Sequence, residues 1–318
     1  MVKFDDKIHI TSLIIMSFPE YISLIWKNKK DCKVIFSNKA LLKSKYYINK
    51  VHLKNIDKSV YIYGKINDNY CIVSNVANTK KIRVISLLKS NIQKAVRLGK
   101  INEALISSFN LIKVDFISFI RRLIIISIED VALLESFPVL VWFMMSYPNF
   151  ELTNEIIQYL LLNVYTLCVF KKKYIPNSNI YSLDYEKYNY KDKYLNSLII
   201  ASEYGGFKGD VKLFNRYINS TDKLIIPLQI KNLVIQRSIT KNDIITSAID
   251  FHCYPFILEK LSEMTDLNID TLKRLIWINS SSINYRETHK YIDVKVWKKI
   301  NKIYQKLQCE ILKKIYVS

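Results

Sequence analysis

The sequence predicts a mainly α-helical protein: a multi-helix bundle or irregular helical array with a small N-terminal α+β part. Three observations carry this expectation. From about residue 83 onward apolar residues recur at helical spacing, as in Ile85, Leu87, Leu88, Ile92, Ala95, Val96 and Leu98. The first 80 residues instead hold short β-branched and aromatic runs bounded by polar turns. Half of the 318 residues are hydrophobic, but only five are Gly and six Pro. Such a chain has apolar surface for a sizeable core and too little glycine for many tight turns or Gly-rich loops.

In order along the chain, Pro19–Trp26 is expected to be a short helix and Lys33–Ser37 a strand. Ser59–Ile66 and Tyr70–Val76, joined by Asn67-Asp68-Asn69, read as a β-hairpin. The first long helix should stop at Gly99, which fits the left-handed position just past a helix end. Ile101–Leu111 follows as a second helix. Asp115 is placed to cap a third, running through Phe119 to Ile128. Pro138 marks a helix start near Phe137, and Thr153 caps a long helix, Asn154–Phe170. Residues 171–193 are polar, rich in tyrosine and aperiodic, and read as a connection. Helical spacing returns at Leu195–Glu203 and Val211–Ile218, with further helices expected at 223–237, 241–264 (broken by Pro255), 267–279 and 292–316. The domains expected from this pattern are 1–82, 83–170 and 194–318, with 171–193 between the last two.

No secretory signal is visible in the first residues, MVKFDDKIHI. Two apolar segments, Leu123–Met145 and Ile156–Phe170, invite a membrane reading. The first holds Glu129, Asp130 and Glu135, and the second is shorter than the ~20 residues a spanning helix needs. Both are expected as buried helices, and no membrane association is expected. The five cysteines are odd in number, and no two are closer than 39 residues. That is neither a disulfide framework nor a zinc-ligand spacing, so reduced thiols, an intracellular location and no metal are expected.

The net charge is +20, from 48 basic and 28 acidic residues. Forty of the basic residues are Lys and only eight Arg, alongside abundant Ile, Asn and Tyr. This is the bias of an AT-rich genome, such as that of a large DNA virus, a protist or an AT-rich bacterium. The layout says more than the total. Residues 1–100 carry a net +14, residues 101–200 a net −1 and residues 201–318 a net +7. A positive field concentrated in one third of a chain attracts nucleic acid or another anionic surface. A Walker A loop, a dinucleotide-binding G-x-G-x-x-G, H-E-x-x-H and G-x-S-x-G are all absent from the sequence. No cofactor and no catalytic residue is assigned.

The sharpest local pattern spans residues 90–130. Lys94 and Arg97 precede the Gly99 turn, and Ala104 and Leu105 lie in the next helix. Then come Arg121, Arg122, Leu123, Ser127, Glu129 and Asp130. This run resembles the helical, collar-like region that follows the ATPase core in the RarA/MgsA family, relatives of clamp-loader subunits. The family pattern is K-S-x-R, an Ala- and Leu-rich helix, then R-R-L, small or apolar residues, and E-D. Ala95 stands here where the family favours Ser, and Val131-Ala132-Leu133 replaces a Gly followed by a Pro-containing turn. The resemblance covers roughly 40 residues and lacks the ATPase domain. It implies an oligomerisation or scaffold module of DNA replication or repair, with other replication or repair proteins as partners and a homo-oligomer as its form. Lys94, Arg97, Arg121 and Arg122 would make anion contacts or interface pairs, and Glu129 and Asp130 structural pairs.

Three further clusters are candidates. Tyr204–Asp210 holds three of the five glycines, Gly205, Gly206 and Gly209. Their amides with Lys208 can meet phosphate, as in a G-x-x-G backbone clamp, or form an interhelical turn with Asp210 as the next helix's cap. The polar run around Trp277–Arg286 offers Arg286 to a phosphate, or is a capped connection. His252 and Cys253 place a base beside a thiol, the minimum for an enzyme reading, or pack at a helix end. The leading expectation is a non-catalytic, nucleic-acid-associated scaffold or accessory factor. The alternative is a protein–protein interaction module of helical-repeat character.

Overall fold

A computed structural model describes residues 18–66, 82–170, 174, 176, 192–204, 208–220, 222–233, 235, 237–281 and 294–315. It is mainly α-helical with a small N-terminal sheet, as the periodicity predicts. Two compact units form, one from residues 1–74 and 120–233 and the other from 75–119 and 234–318. The helical block expected over 83–170 is divided between them at residues 119 and 120.

The first unit is built on a four-stranded sheet. Its strands are β1 (Tyr21–Asn28), β2 (Asp31–Ser37), β3 (Tyr47–Leu53) and β4 (Lys58–Lys65), in the spatial order β2-β1-β4-β3. β1 pairs antiparallel with β2 and parallel with β4, and β3 pairs antiparallel with β4. The helix expected over Pro19–Trp26 is therefore a central strand. Ile22, Ser23 and Leu24 are all buried, and a short apolar run of this kind has no period that separates helix from strand. The first arm of the expected hairpin is β4. Its second arm and turn lie outside the described residues, as do Gly205, Gly206 and Arg286 and most of the tyrosine-rich connection.

On the inner face Ile22, Leu24, Trp26, Val60 and Ile62 are buried. Helix α4 (Phe137–Ser146), buried along its whole length, packs there. An all-apolar helix is stable only when enclosed on every side. The Trp26 ring meets Phe143 and Tyr159 edge-on, and Trp142 Nε1 donates to the Tyr63 carbonyl at 2.8 Å. Gly64 fits beneath Trp142 because it has no side chain. A Cβ there would stand 2.5 Å from Trp142 Cζ2. Gly64→Ala should cost about 1–3 kcal/mol by overpacking, read as a lower denaturant midpoint with an unchanged slope.

The other helices of this unit begin and end at identifiable residues. Thr153 caps α5 (Asn154–Val169) by accepting from the Ile156 amide at 3.2 Å. Asp192 caps α6 (Lys193–Glu203) through the Tyr194 and Leu195 amides. α7 (Lys208–Asn219) follows. The helix expected at 223–237 is absent. Ile225–Ile226 instead forms a short strand, β6, parallel to β5 (Leu133–Leu134). Pro227 lacks an amide and disfavours helix in the residue before it, and the Gln229 amide is satisfied by Thr166 Oγ1 at 2.9 Å.

The second unit holds α1 (Ile82–Arg97) and α2 (Ile101–Val114), packed together. α1 ends as predicted. Gly99 has φ 64°, its amide bonds Val96 O and the Lys100 amide bonds Ala95 O, the two bonds of a Schellman turn. Asp115 caps α3 (Phe116–Ile126), its Oδ1 accepting from the Ser118 amide at 3.1 Å. Beyond it the unit contains α8 (Phe256–Thr265), α9 (Ile269–Ile276) and α10 (Val294–Lys314). The stretch expected as helix from 241 forms only two single turns, Lys241–Asp243 and Thr246–Ala248, before α8. Thr, Ser and Asp side chains offer the backbone local bonds that compete with a continuous helix.

These turns are pinned by Asn91, which is fully buried on α1. Its Nδ2 donates to Ser107 Oγ at 2.7 Å and Asp243 O at 2.8 Å, and its Oδ1 accepts from the Ile245 amide at 2.9 Å. Both amide protons and the amide oxygen have partners, so no polar atom of this buried side chain is left unpaired.

Candidate nucleic-acid interface

Side chains alternate across a strand, so the same pairing that buries Ile22 and Ile62 turns their neighbours to the opposite face. Register decides which residues meet there. Tyr21 stands beside Tyr61, Tyr63 opposite Tyr47, and Lys50 opposite Tyr61. Lys33 pairs with Ile25, which in turn pairs with Lys65. The result is an aromatic row on the outer face of the sheet. Tyr21 and Tyr61 stack with centroids 5.4 Å apart and 21° between planes. Tyr63 lies 6.2 Å from Tyr21, and Tyr47 meets Tyr63 edge-on at 5.7 Å. Lys50 Nζ lies 5.1 Å from the centre of the Tyr61 ring, a cation–π contact. Tyr47 is 49% exposed, and Lys33, Lys50 and Lys65 are exposed. The acid at a paired position of this face is Asp31, two residues from Lys33 in β2, and it is engaged by Lys27 at 3.1 Å.

The sequence-predicted residues are distributed differently. Lys94 is buried in the second unit, where its ammonium bonds Asp250 Oδ2. Its charge is neutralised inside the fold rather than offered to an external anion, which corrects its assignment as an anion contact. Arg97 is half-buried at the end of α1 in the same unit. In the first unit, Arg121 is exposed and Arg122 half-buried on α3. Glu129 is half-buried and Asp130 buried in the π-helical turn Ser127–Val131 that follows. Lys94 and Arg97 thus belong to one unit and Arg121 and Arg122 to the other. Gly209 is not a loop residue. It lies in the first turn of α7, which begins at Lys208, so Asp210 is inside the helix rather than its cap.

No family model, curated protein or solved structure matches this chain. The functional reading therefore stands on the residues. The reading of Cys253 as a nucleophile meets a chemical obstacle. Its thiol is buried and bonded toward Ala248 O at 3.8 Å. Burial first, then the Asp250 charge, pushes the thiol up to about 12, so it stays protonated at neutral pH. His252 stacks on Phe251 at 4.1 Å and turns Nδ1 toward Asp250 Oδ1 at 3.3 Å. Asp250 holds the 250–254 turn as an acceptor: its Oδ1 also takes the His252 amide at 3.0 Å, and its carbonyl takes the Cys253 and Tyr254 amides at 3.0 and 2.8 Å.

Two carboxylates of the second unit are held below their usual range. For Asp250, burial raises the value, but the His252 hydrogen bond and the Lys94 charge outweigh it. Asp243 is lowered to about 2, chiefly by Arg237, whose two terminal nitrogens bond it at 2.5 and 2.8 Å. A depressed folded-state value means that the stabilisation is present above the unfolded carboxylate value of about 3.9. It is lost as pH falls through the folded one. The second unit should lose stability between about pH 4 and pH 2, a loss that Asp243→Asn reduces. An acid titration of the melting temperature checks this.

The tyrosine row was missed in the sequence, although half of it was visible. Ser59, Tyr61, Tyr63 and Lys65 alternate within a segment already read as a strand, and that period alone puts them on one face. Tyr21 and Tyr47 join them only through pairing.

Proposed function

We propose that this chain is a non-catalytic, nucleic-acid-associated accessory factor that holds a single strand across the outer face of its N-terminal sheet. The observation that carries the reading is the row Tyr21, Tyr61, Tyr63 and Tyr47, flanked by Lys33, Lys50 and Lys65, with Asp31 at the end of β2 engaged by Lys27. Unpaired bases stack on aromatic rings whatever their sequence, and lysines take the phosphates between them. A duplex keeps its bases stacked inside and has no use for such a row. The concentration of net charge in residues 1–100 supports the same reading, because a positive field raises the encounter rate with a polyanion. Replication or repair machinery is the setting implied by the resemblance of residues 90–130 to a clamp-loader-type collar, and self-assembly is part of that proposal. A strict monomer at micromolar concentration would count against the collar.

The test is fluorescence anisotropy with a labelled 12-nucleotide single strand, titrated from 25 to 200 mM salt. Three lysine–phosphate contacts predict a log–log slope of about −2, at ~0.7 per neutralised phosphate. Binding that ignores salt, or no binding at the lowest salt, would refute the reading.

A further inference from the structure

The last described helix of the second unit carries a surface of different chemistry. α10 has seven lysines in its 21 residues and one carboxylate, Glu310. Five of the lysines, Lys295, Lys299, Lys302, Lys306 and Lys313, are spaced four, three, four and seven apart. At about 100° per residue they fall within an arc of about 60° and form one stripe with a rise of about 27 Å. All five are exposed, and Lys298, also exposed, borders the stripe. The opposite side of the helix is buried at Ile300, Tyr304, Leu307 and Gln308. Gln308 Nε2 donates to the Ile249 carbonyl at 2.6 Å and Tyr304 OH to the same carbonyl at 3.5 Å, which holds the stripe facing outward. Among the described residues no ion pair neutralises Lys299, Lys302, Lys306 or Lys313. Glu310 borders a cleft with Lys260 and Lys314.

Each feature narrows the occupant. A row of cations this long calls for a ligand whose negative charge continues over the same distance, and a DNA duplex carries one phosphate charge per ~1.7 Å of its axis. An interfacial membrane helix turns its apolar side to the lipid, whereas the apolar side of α10 is packed on α8 and the Thr246–Ala248 turn. A single strand is held by aromatic stacking, and the exposed positions of α10 carry no ring. They are the seven lysines with Val294, Gln305, Cys309 and Glu310. They also carry no hydroxyl to meet the 2′-hydroxyls through which duplex RNA is read. We propose that this face of α10 is a docking surface for duplex DNA, its lysine stripe set along the phosphate backbone without reading sequence. The sheet and the stripe then take two forms of nucleic acid on separate units, one by stacking and one by charge. The stripe stands whether or not the sheet binds a single strand.

The test uses the full chain and a labelled, blunt-ended 16-base-pair DNA duplex, long enough to cover the stripe, titrated by anisotropy from 25 to 200 mM salt. Five lysine–phosphate contacts predict a log–log slope of about −4.5, at ~0.9 per neutralised phosphate. Lys299→Gln/Lys302→Gln/Lys306→Gln should reduce the slope to about −2 and weaken duplex binding at least about tenfold at 100 mM salt. Lys299→Arg/Lys302→Arg/Lys306→Arg should preserve both. Lys302→Gln alone, at an exposed position, reads a slope change of about 0.9 if the triple variant does not fold. The glutamine variant should leave single-strand binding unchanged, and Tyr47→Ala/Tyr63→Ala should leave duplex binding unchanged, so the two surfaces fail separately. An RNA duplex of the same length should bind no more tightly than the DNA. A slope unchanged by the glutamine substitutions, an equal loss of single-strand binding, tighter binding of the RNA, or displacement of the duplex by phosphatidylserine vesicles would overturn the proposal.

Discussion

Replacing Asp250 by alanine should destabilise the unit formed by 75–119 and 234–318 by about 3–5 kcal/mol, the usual cost of stripping one partner from a buried ion pair. The Lys94 and Asp250 side chains are only 7% and 4% exposed. Without the carboxylate, the ammonium remains in a low-dielectric site with no counter-charge. The substitution also removes the acceptor of the His252 amide and of its Nδ1. Lys94→Met alone should be destabilising for the mirror reason, since it leaves a buried carboxylate. Lys94→Met/Asp250→Leu removes both charges and should recover much of the loss, because a buried pair replaced by packed apolar groups is often close to neutral. Chemical denaturation of the four proteins forms a double-mutant cycle. A double variant as unstable as the sum of the singles would show that the pair itself contributes nothing.

Tyr47→Ala/Tyr63→Ala should weaken single-strand binding by about thirtyfold or more, since each base–aromatic stack is worth ~1–3 kcal/mol. Tyr47 is half-exposed on an edge strand, and Tyr63 lies on the outer face beside it. Neither ring belongs to the core formed with α4, so the fold should persist. The salt slope should remain near that of the wild type, because no phosphate contact is removed. Lys50→Ala should do the reverse, with a modest loss of affinity and a slope shallower by about 0.7. Tyr47→Phe/Tyr63→Phe should retain binding, because the π-faces remain. An equal loss in the phenylalanine variant would assign the effect to the hydroxyl groups and remove stacking from the account.

Much of the fold was legible because it is encoded locally. Gly99 ends α1 through two backbone bonds that need only a left-handed residue, and Asp115 and Thr153 cap their helices with their own side chains. The misread segments are those where distant partners decide. Tyr21–Asn28 becomes a strand because β2 and β4 pair with it on both sides. Ile225–Ile226 is extended because it completes a pair with Leu133–Leu134. The site shows the same division. Tyr61, Tyr63 and Lys65 share a face by simple alternation, whereas Tyr21 and Tyr47 reach that face through a parallel and an antiparallel pairing. Lys94 looked like one more surface cation because its partner, Asp250, is 156 residues away. A lysine flanked by Ala95 and Val96, both buried, needed a carboxylate from elsewhere in the chain to be stable there.

The central claim is that a single strand lies across the tyrosine row. The most direct measurement is photo-crosslinking of an oligonucleotide carrying 5-iodouracil, followed by mass-spectrometric mapping of the modified residue. The account predicts crosslinks to Tyr47 or Tyr63, abolished by the double alanine variant. Crosslinks confined to the lysine-rich helix Val294–Lys314, with none on residues 21–65, would contradict it.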